Sequence, residues 1–143
     1  MRRHLAWLVT LILCLAISGC SSLEKPPMPV VTSVSGAIPT FLGTYGWRTG
    51  GHGVQSDAPV PDEFVAGNAA PSVPAGSRLS IDYGCAPDEL FAYQWVDHQP
   101  TRVELHDSTL QLPREPGVYV YSLESTWSNG HASHVIKIAT ELK

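Results

Sequence analysis

Polar and apolar positions alternate over much of this chain. Ser77 to Tyr83 sets Leu79, Ile81 and Tyr83 against Arg78, Ser80 and Asp82. Leu90 to Val96 puts Phe91, Tyr93 and Trp95 on one face and Leu90, Ala92 and Gln94 on the other. A period of two marks a strand that buries one side. Val118 to Trp127 and Ala132 to Thr140 alternate as well, the second with Ala132, His134, Ile136 and Ile138 on one face. Val30 to Val34, Ile38 to Trp47, Arg102 to Leu105 and Thr109 to Leu112 are further strand candidates, and Pro113 to Gly117 is a turn-rich break. Between the last two strands, Asn129-Gly130 predicts a type I′ hairpin turn, because that turn needs two positive φ angles. No apolar set recurs at helical spacing over a useful length, and twelve prolines and twelve glycines interrupt the chain. About seven short strands with closely spaced turns predict an all-β, antiparallel sandwich.

The N-terminus follows another rule. Met1 to His4 is short and basic, Leu5 to Ile17 is continuously apolar but for Thr10, and Ser18, Gly19 and Cys20 follow. Such a head, run and small-residue end form a secretory signal peptide. The run is shorter than the roughly 20 apolar residues that span a bilayer. Ile17-Ser18-Gly19-Cys20 resembles the lipobox of bacterial lipoproteins. The resemblance implies cleavage between Gly19 and Cys20, a thioether-linked diacylglycerol on Cys20 and, in many bacteria, an acylated amino group. Two or three acyl chains anchor stably, at about 0.8 kcal/mol per buried CH₂. Residues 1–19 are thus expected to be a leader, 20–29 a lipidated tether rich in proline, and 30–143 a single domain. Ser21, directly after the cysteine, resembles the outer-membrane sorting pattern of Gram-negative lipoproteins.

Within the domain, Glu115-Pro116-Gly117-Val118-Tyr119 resembles the entry to strand F of immunoglobulin- and fibronectin-like sandwiches. That likeness implies a tyrosine corner at Tyr119, Tyr121 in place of the core cysteine, and Trp95 as the buried strand C tryptophan. Residues 50–75 show little alternation and are expected to be an irregular loop, either functional or laid over a sheet edge, pinned by Phe64 and Val65. Gly43-Thr44-Tyr45-Gly46-Trp47 with Asp57-Ala58-Pro59 is similar to small lipoproteins of spore-forming Gram-positive bacteria, in which a cysteine takes the place of Gly46. That similarity implies a location more than an activity.

Charge narrows the partners. Two of nine Lys+Arg and none of thirteen Asp+Glu lie in the leader, so the mature chain carries seven basic and thirteen acidic residues, formally −6. An acidic, unclustered surface argues against nucleic acid and leaves the lipid as the membrane link. Of three cysteines, Cys14 goes with the leader and Cys20 is acylated, so no internal disulfide is expected for Cys85. The domain is therefore expected to stand on its apolar core.

Candidate chemistry is sparse. His131 and His134 are three apart, which on a strand means opposite faces and no shared metal. Pro61-Asp62-Glu63 and Pro87-Asp88-Glu89 lack the Asp-x-Asp-x-Asp-Gly spacing of calcium loops and read as turns. His106-Asp107-Ser108 holds triad residue types merely side by side, with no Gly-x-Ser-x-Gly elbow. No metal ligand set, cofactor site or catalytic residue is expected. Tyr45, Trp47 and His52, beside the irregular loop, are the candidates for a surface binding site. The expectation is a non-enzymatic, lipid-anchored envelope lipoprotein, facing away from the cytoplasm at the cell or outer membrane. Its role would be structural or an interaction with an envelope protein or glycan; the alternative is a binding protein for a small ligand or metal ion.

Overall fold

The computed structural model describes residues 23–143. The leader, the cleavage point at Gly19 and the lipidation residue Cys20 lie outside them. The early strands are β1 (Pro29–Ser33), β2 (Gly36–Ile38), β3 (Phe41–Thr49) and β4 (His52–Ser56). A one-turn helix α1 (Pro61–Phe64) precedes β5 (Ser72–Pro74), β6 (Arg78–Tyr83), β7 (Glu89–Val96) and β8 (Gln99–Val103). Last come β9 (Leu105–His106), β10 (Thr109–Gln111), β11 (Gly117–Trp127) and β12 (Gly130–Glu141).

These strands make two packed sheets. One runs β2-β1-β6-β10-β9; the other runs β4-β3-β12-β11-β7-β8, with β5 beside the end of β12. All pairings are antiparallel except that of β5 with β12. The expected sandwich is there, with more and shorter strands than the sequence suggests. Its order β1-β6-β10-β9 over β8-β7-β11-β12 matches the A-B-E-D and C′-C-F-G arrangement of immunoglobulin folds. The β3–β4 hairpin then extends the second sheet past β12.

Alternation decides what is buried. Leu79, Ile81 and Tyr83 of β6 face inward with Val31 and Leu110, against Tyr121, Leu123, Ile136 and Ile138 of the second sheet. Ala92 of β7 lies opposite Leu123 and is fully buried. Here the strand C expectation needs correcting. Trp95 shares the outer face with its neighbour Val120, packs there with Phe64 and Val65, and donates its indole N–H to Ser122 Oγ at 2.9 Å. The inner face of β7 thus carries the small Ala92, and the bulky rings turn outward. The tyrosine corner does form: Tyr119 Oη donates to the Glu115 carbonyl at 3.1 Å, and Tyr121 is buried below it.

Residues 50–75 are more ordered than expected. They make β4, α1 and β5, with α1 and the turn after it laid over the outer face of the second sheet. Phe64 and Val65 pin this flap. Lys137 of β12 completes the hold, its ammonium donating to the carbonyls of Val65, Ala66 and Asn68 at 3.1, 2.9 and 3.0 Å.

Three two-residue hairpin loops have both φ angles positive: Gly50-Gly51, Asp97-His98 and Asp107-Ser108. This is type I′ geometry, whose twist matches the flanking strands. The β11–β12 turn differs from expectation. Its loop is Ser128-Asn129, neither with positive φ, and Gly130 is the first residue of β12, paired with Trp127. Gly130 is required for another reason: at φ 153° a Cβ would sit 1.9 Å from the carbonyl oxygen of Gly46. The glycine admits the neighbouring strand instead of making the turn.

Candidate functional site

The three surface candidates share the β3–β4 hairpin but not its surroundings. Trp47 is only 3% exposed; its ring meets Trp127 edge-on at 5.6 Å, inside the sandwich. Tyr45, on the same face, is half-buried against the core. His52 alone is exposed, at the start of β4. The aromatic pair thus builds the interior, and the expected stacking surface is absent: the hairpin's inner face continues the core pattern of β12, its neighbour.

On the hairpin's other face lies a shallow groove of about 440 Å³. Its floor is the Gly46 and Gly53 backbone, and Arg48, Gln55 and His131 line it. A Cβ at position 46 would approach His131 Cε1 to 3.0 Å, so a larger residue there would push the imidazole aside. The groove offers backbone polar groups and one fixed cation, and no nucleophile or carboxylate.

The segment expected to be a free tether is attached sooner. The Leu23 carbonyl accepts from the Trp47 indole N–H at 2.7 Å and from Thr49 Oγ1 at 2.5 Å. Pro26 and Pro29 are buried. The same end of the sandwich holds Cys85, whose carbonyl accepts the Trp127 indole N–H at 3.0 Å. Cys85 is disulfide-bonded, which corrects the expectation that it forms no disulfide. That expectation followed from discarding Cys14 and committing Cys20, whereas the full chain keeps both.

One polar chain runs through the interior. Ser125 Oγ donates to Tyr83 Oη at 2.8 Å, and Tyr83 Oη lies 2.9 Å from His134 Nδ1. The other ring nitrogen, His134 Nε2, is buried with no partner among the described residues. Burial lowers the His134 pKa to about 4 and raises that of Tyr83. A serine and a histidine meet the same phenol here, but Ser125 and His134 are buried, so this chain supports the core. As expected, His131 and His134 face opposite sides of β12, His131 leaning over Gly46 outside.

Asp62 of α1 clamps the β7–β8 turn. Its carboxylate accepts from the His98 backbone N–H at 2.8 Å and lies 3.0 Å from His98 Nδ1. Burial opposes ionisation of Asp62, yet the His98 backbone, ring and charge together hold its pKa below the usual value. The same contact raises that of His98. His106, Asp107 and Ser108 form the end of the β9–β10 hairpin, where Asp107 and Ser108 are the turn itself. Among the described residues, no three or more His, Cys, Asp or Glu side chains converge in a way that could hold a metal.

Nor among them is any helix long and apolar enough to cross a membrane. No protein-family model, curated protein or solved structure matches the chain.

Proposed function

We propose that this chain is a lipid-anchored, extracytoplasmic β-sandwich lipoprotein with a structural or interaction role in the cell envelope. The observation that carries the reading is the sequence Ile17-Ser18-Gly19-Cys20, placed three residues before Leu23, where the chain joins the sandwich. Three residues reach at most about 10 Å, so an acylated Cys20 would hold one end of the domain close to the bilayer. The reading is of a module and not a catalyst, supported by the enclosure of the Ser125–Tyr83–His134 chain. Its partners would be the membrane, through lipid, and a protein or glycan of the envelope.

The disulfide at Cys85 makes the proposal sharper. A chain cut before Cys20 has lost Cys14, and a thioether leaves the Cys20 sulfur no capacity for a disulfide. In the mature lipoprotein the Cys85 bond would then have to be made to another molecule. Intact mass and peptide mapping of the chain extracted in detergent test this. Expected are loss of residues 1–19, added acyl mass on Cys20, and both lost in Cys20→Ser. An unmodified Cys20 joined to Cys85, or a retained leader, overturns the reading.

A further inference from the structure

The sandwich protects its sheet edges unequally. Strand β2 has three residues, β9 has two, and β5 has three and ends in Pro74. Strand β8 carries Pro100 and Arg102, the latter stacked 4.2 Å over the Phe91 ring. Short length, proline and fixed charge are the usual means of stopping strand addition. Strand β4 has none of them. His52-Gly53-Val54-Gln55-Ser56 is exposed throughout and holds no proline, lysine, arginine or carboxylate.

Its hairpin determines which backbone groups are free. The type I′ loop Gly50-Gly51 makes Thr49 and His52 the closing hydrogen-bonded pair, so Trp47–Val54 and Tyr45–Ser56 are hydrogen-bonded pairs as well. The N–H and C=O groups of Gly53 and Gln55 therefore point away from β3. No other bond to them occurs among the described residues.

We propose that β4 pairs antiparallel with β4 of a second copy of this chain, about a two-fold axis through Val54. In that register Gly53 lies opposite Gln55 of the other copy, and the two exchange N–H···O=C bonds in both directions. The axis repeats this, satisfying all four free groups of each strand. Val54, 53% exposed, then meets its own counterpart in the wide pair, where Cα atoms lie about 4.5 Å apart. Charge favours the same choice. The chain is acidic, at net −4, and β4 is an edge without a carboxylate, where two copies meet without like charges opposed. The two-fold sets the Leu23 ends of the two copies at opposite ends of the pair, so it joins chains anchored on facing surfaces or released in detergent, not neighbours standing upright on one bilayer. A five-residue strand contact falls short of the roughly 1,200 Å² of standard interfaces, so the dimer is weak and concentration-dependent.

Cysteine trapping in the purified chain tests the register. Val54→Cys should form a cross-chain disulfide under mild oxidant about tenfold faster than His52→Cys, because residues 52 of the two copies lie about 13 Å apart, beyond the reach of a disulfide. Sedimentation should show the unaltered chain passing from monomer to dimer as concentration rises. Gln55→Pro should stay monomeric with an unchanged circular dichroism spectrum, since the N–H it loses faces the partner and not β3. Equal trapping at residues 52 and 54, an unaltered chain that is monomeric at all concentrations, or a Gln55→Pro chain that still dimerises would each overturn the proposal. Capture of a strand from a different protein would leave Val54→Cys monomeric, and that too would overturn it.

Discussion

His134 shows how one enclosed ring sets a pH dependence for the whole fold. In the unfolded chain it titrates near its ordinary 6.5, and in the folded chain burial pushes it down to about 4. Between those values the unfolded state binds a proton that the folded state refuses. The His134 contribution to stability should therefore be level above pH 6.5 and fall as pH drops toward 4, by an order of 3 kcal/mol in all. His134→Asn keeps an acceptor for the Tyr83 hydroxyl and removes the titration. Urea unfolding at pH 7 and pH 4.5 is the check: the unaltered chain should lose roughly 2 kcal/mol more than the variant between the two. Equal losses would place the acid sensitivity elsewhere. The histidine itself was readable as an inward-facing β12 position beside Ala132 and Ile136. Its hydrogen-bond partner was not, because Tyr83 comes from the opposite sheet, 51 residues away.

Among the elements, the flap around α1 is held by the packing of Phe64 and Val65 and by one ammonium. Lys137→Met should remove three charge-assisted bonds at once while keeping the aliphatic stem. We expect a loss of about 2 kcal/mol and a melting temperature lower by several degrees, with hydrogen exchange accelerated first around Val65 to Asn68. An unchanged exchange pattern there would contradict the assigned hold. The clamp between Asp62 and His98 should act in a bounded pH window. Its Asp62 part is lost as pH falls through the lowered carboxyl value, and its His98 part as pH rises through the raised imidazole value. The strands themselves were legible, since period two marked β6, β7, β11 and β12 with their faces correctly divided. Which face of β7 turned inward was not legible. An aromatic stripe reads as core by composition, and only the burial of Ala92 in the fold shows the opposite face turned inward. Two type I′ turns were hidden for a related reason, because Asp97-His98 and Asp107-Ser108 adopt positive φ without glycine to announce it. Segment 50–75 showed no alternation because its parts meet separate partners: β4 lies at an open edge, α1 caps an outer face and β5 joins one strand end.

For the molecule as a whole, the proposed anchor implies an orientation. Leu23, Trp47, Cys85 and the Ser128-Asn129 turn gather at one end, while Ser35, Ser72 and Glu141 gather at the other. With Cys20 acylated, a fluorophore at Ser128 should be quenched by nitroxide-labelled headgroups far more than one at Ser35. Equal quenching would mean that the domain swings freely and that the Leu23 bonds do not set its pose. The candidate site was the least legible part of the sequence. Tyr45, Trp47 and His52 share one hairpin, where the sequence put His52 in an irregular loop, and residue types do not report that the sheet continues far enough to bury Trp47 and half-bury Tyr45. Strand β12 has one more consequence. It starts at Gly130 beside Trp47 and runs twelve residues, about 40 Å, to Glu141. A passenger domain joined after Glu141 would be displayed that far above the attachment point, on a stalk stiffened by two sheets.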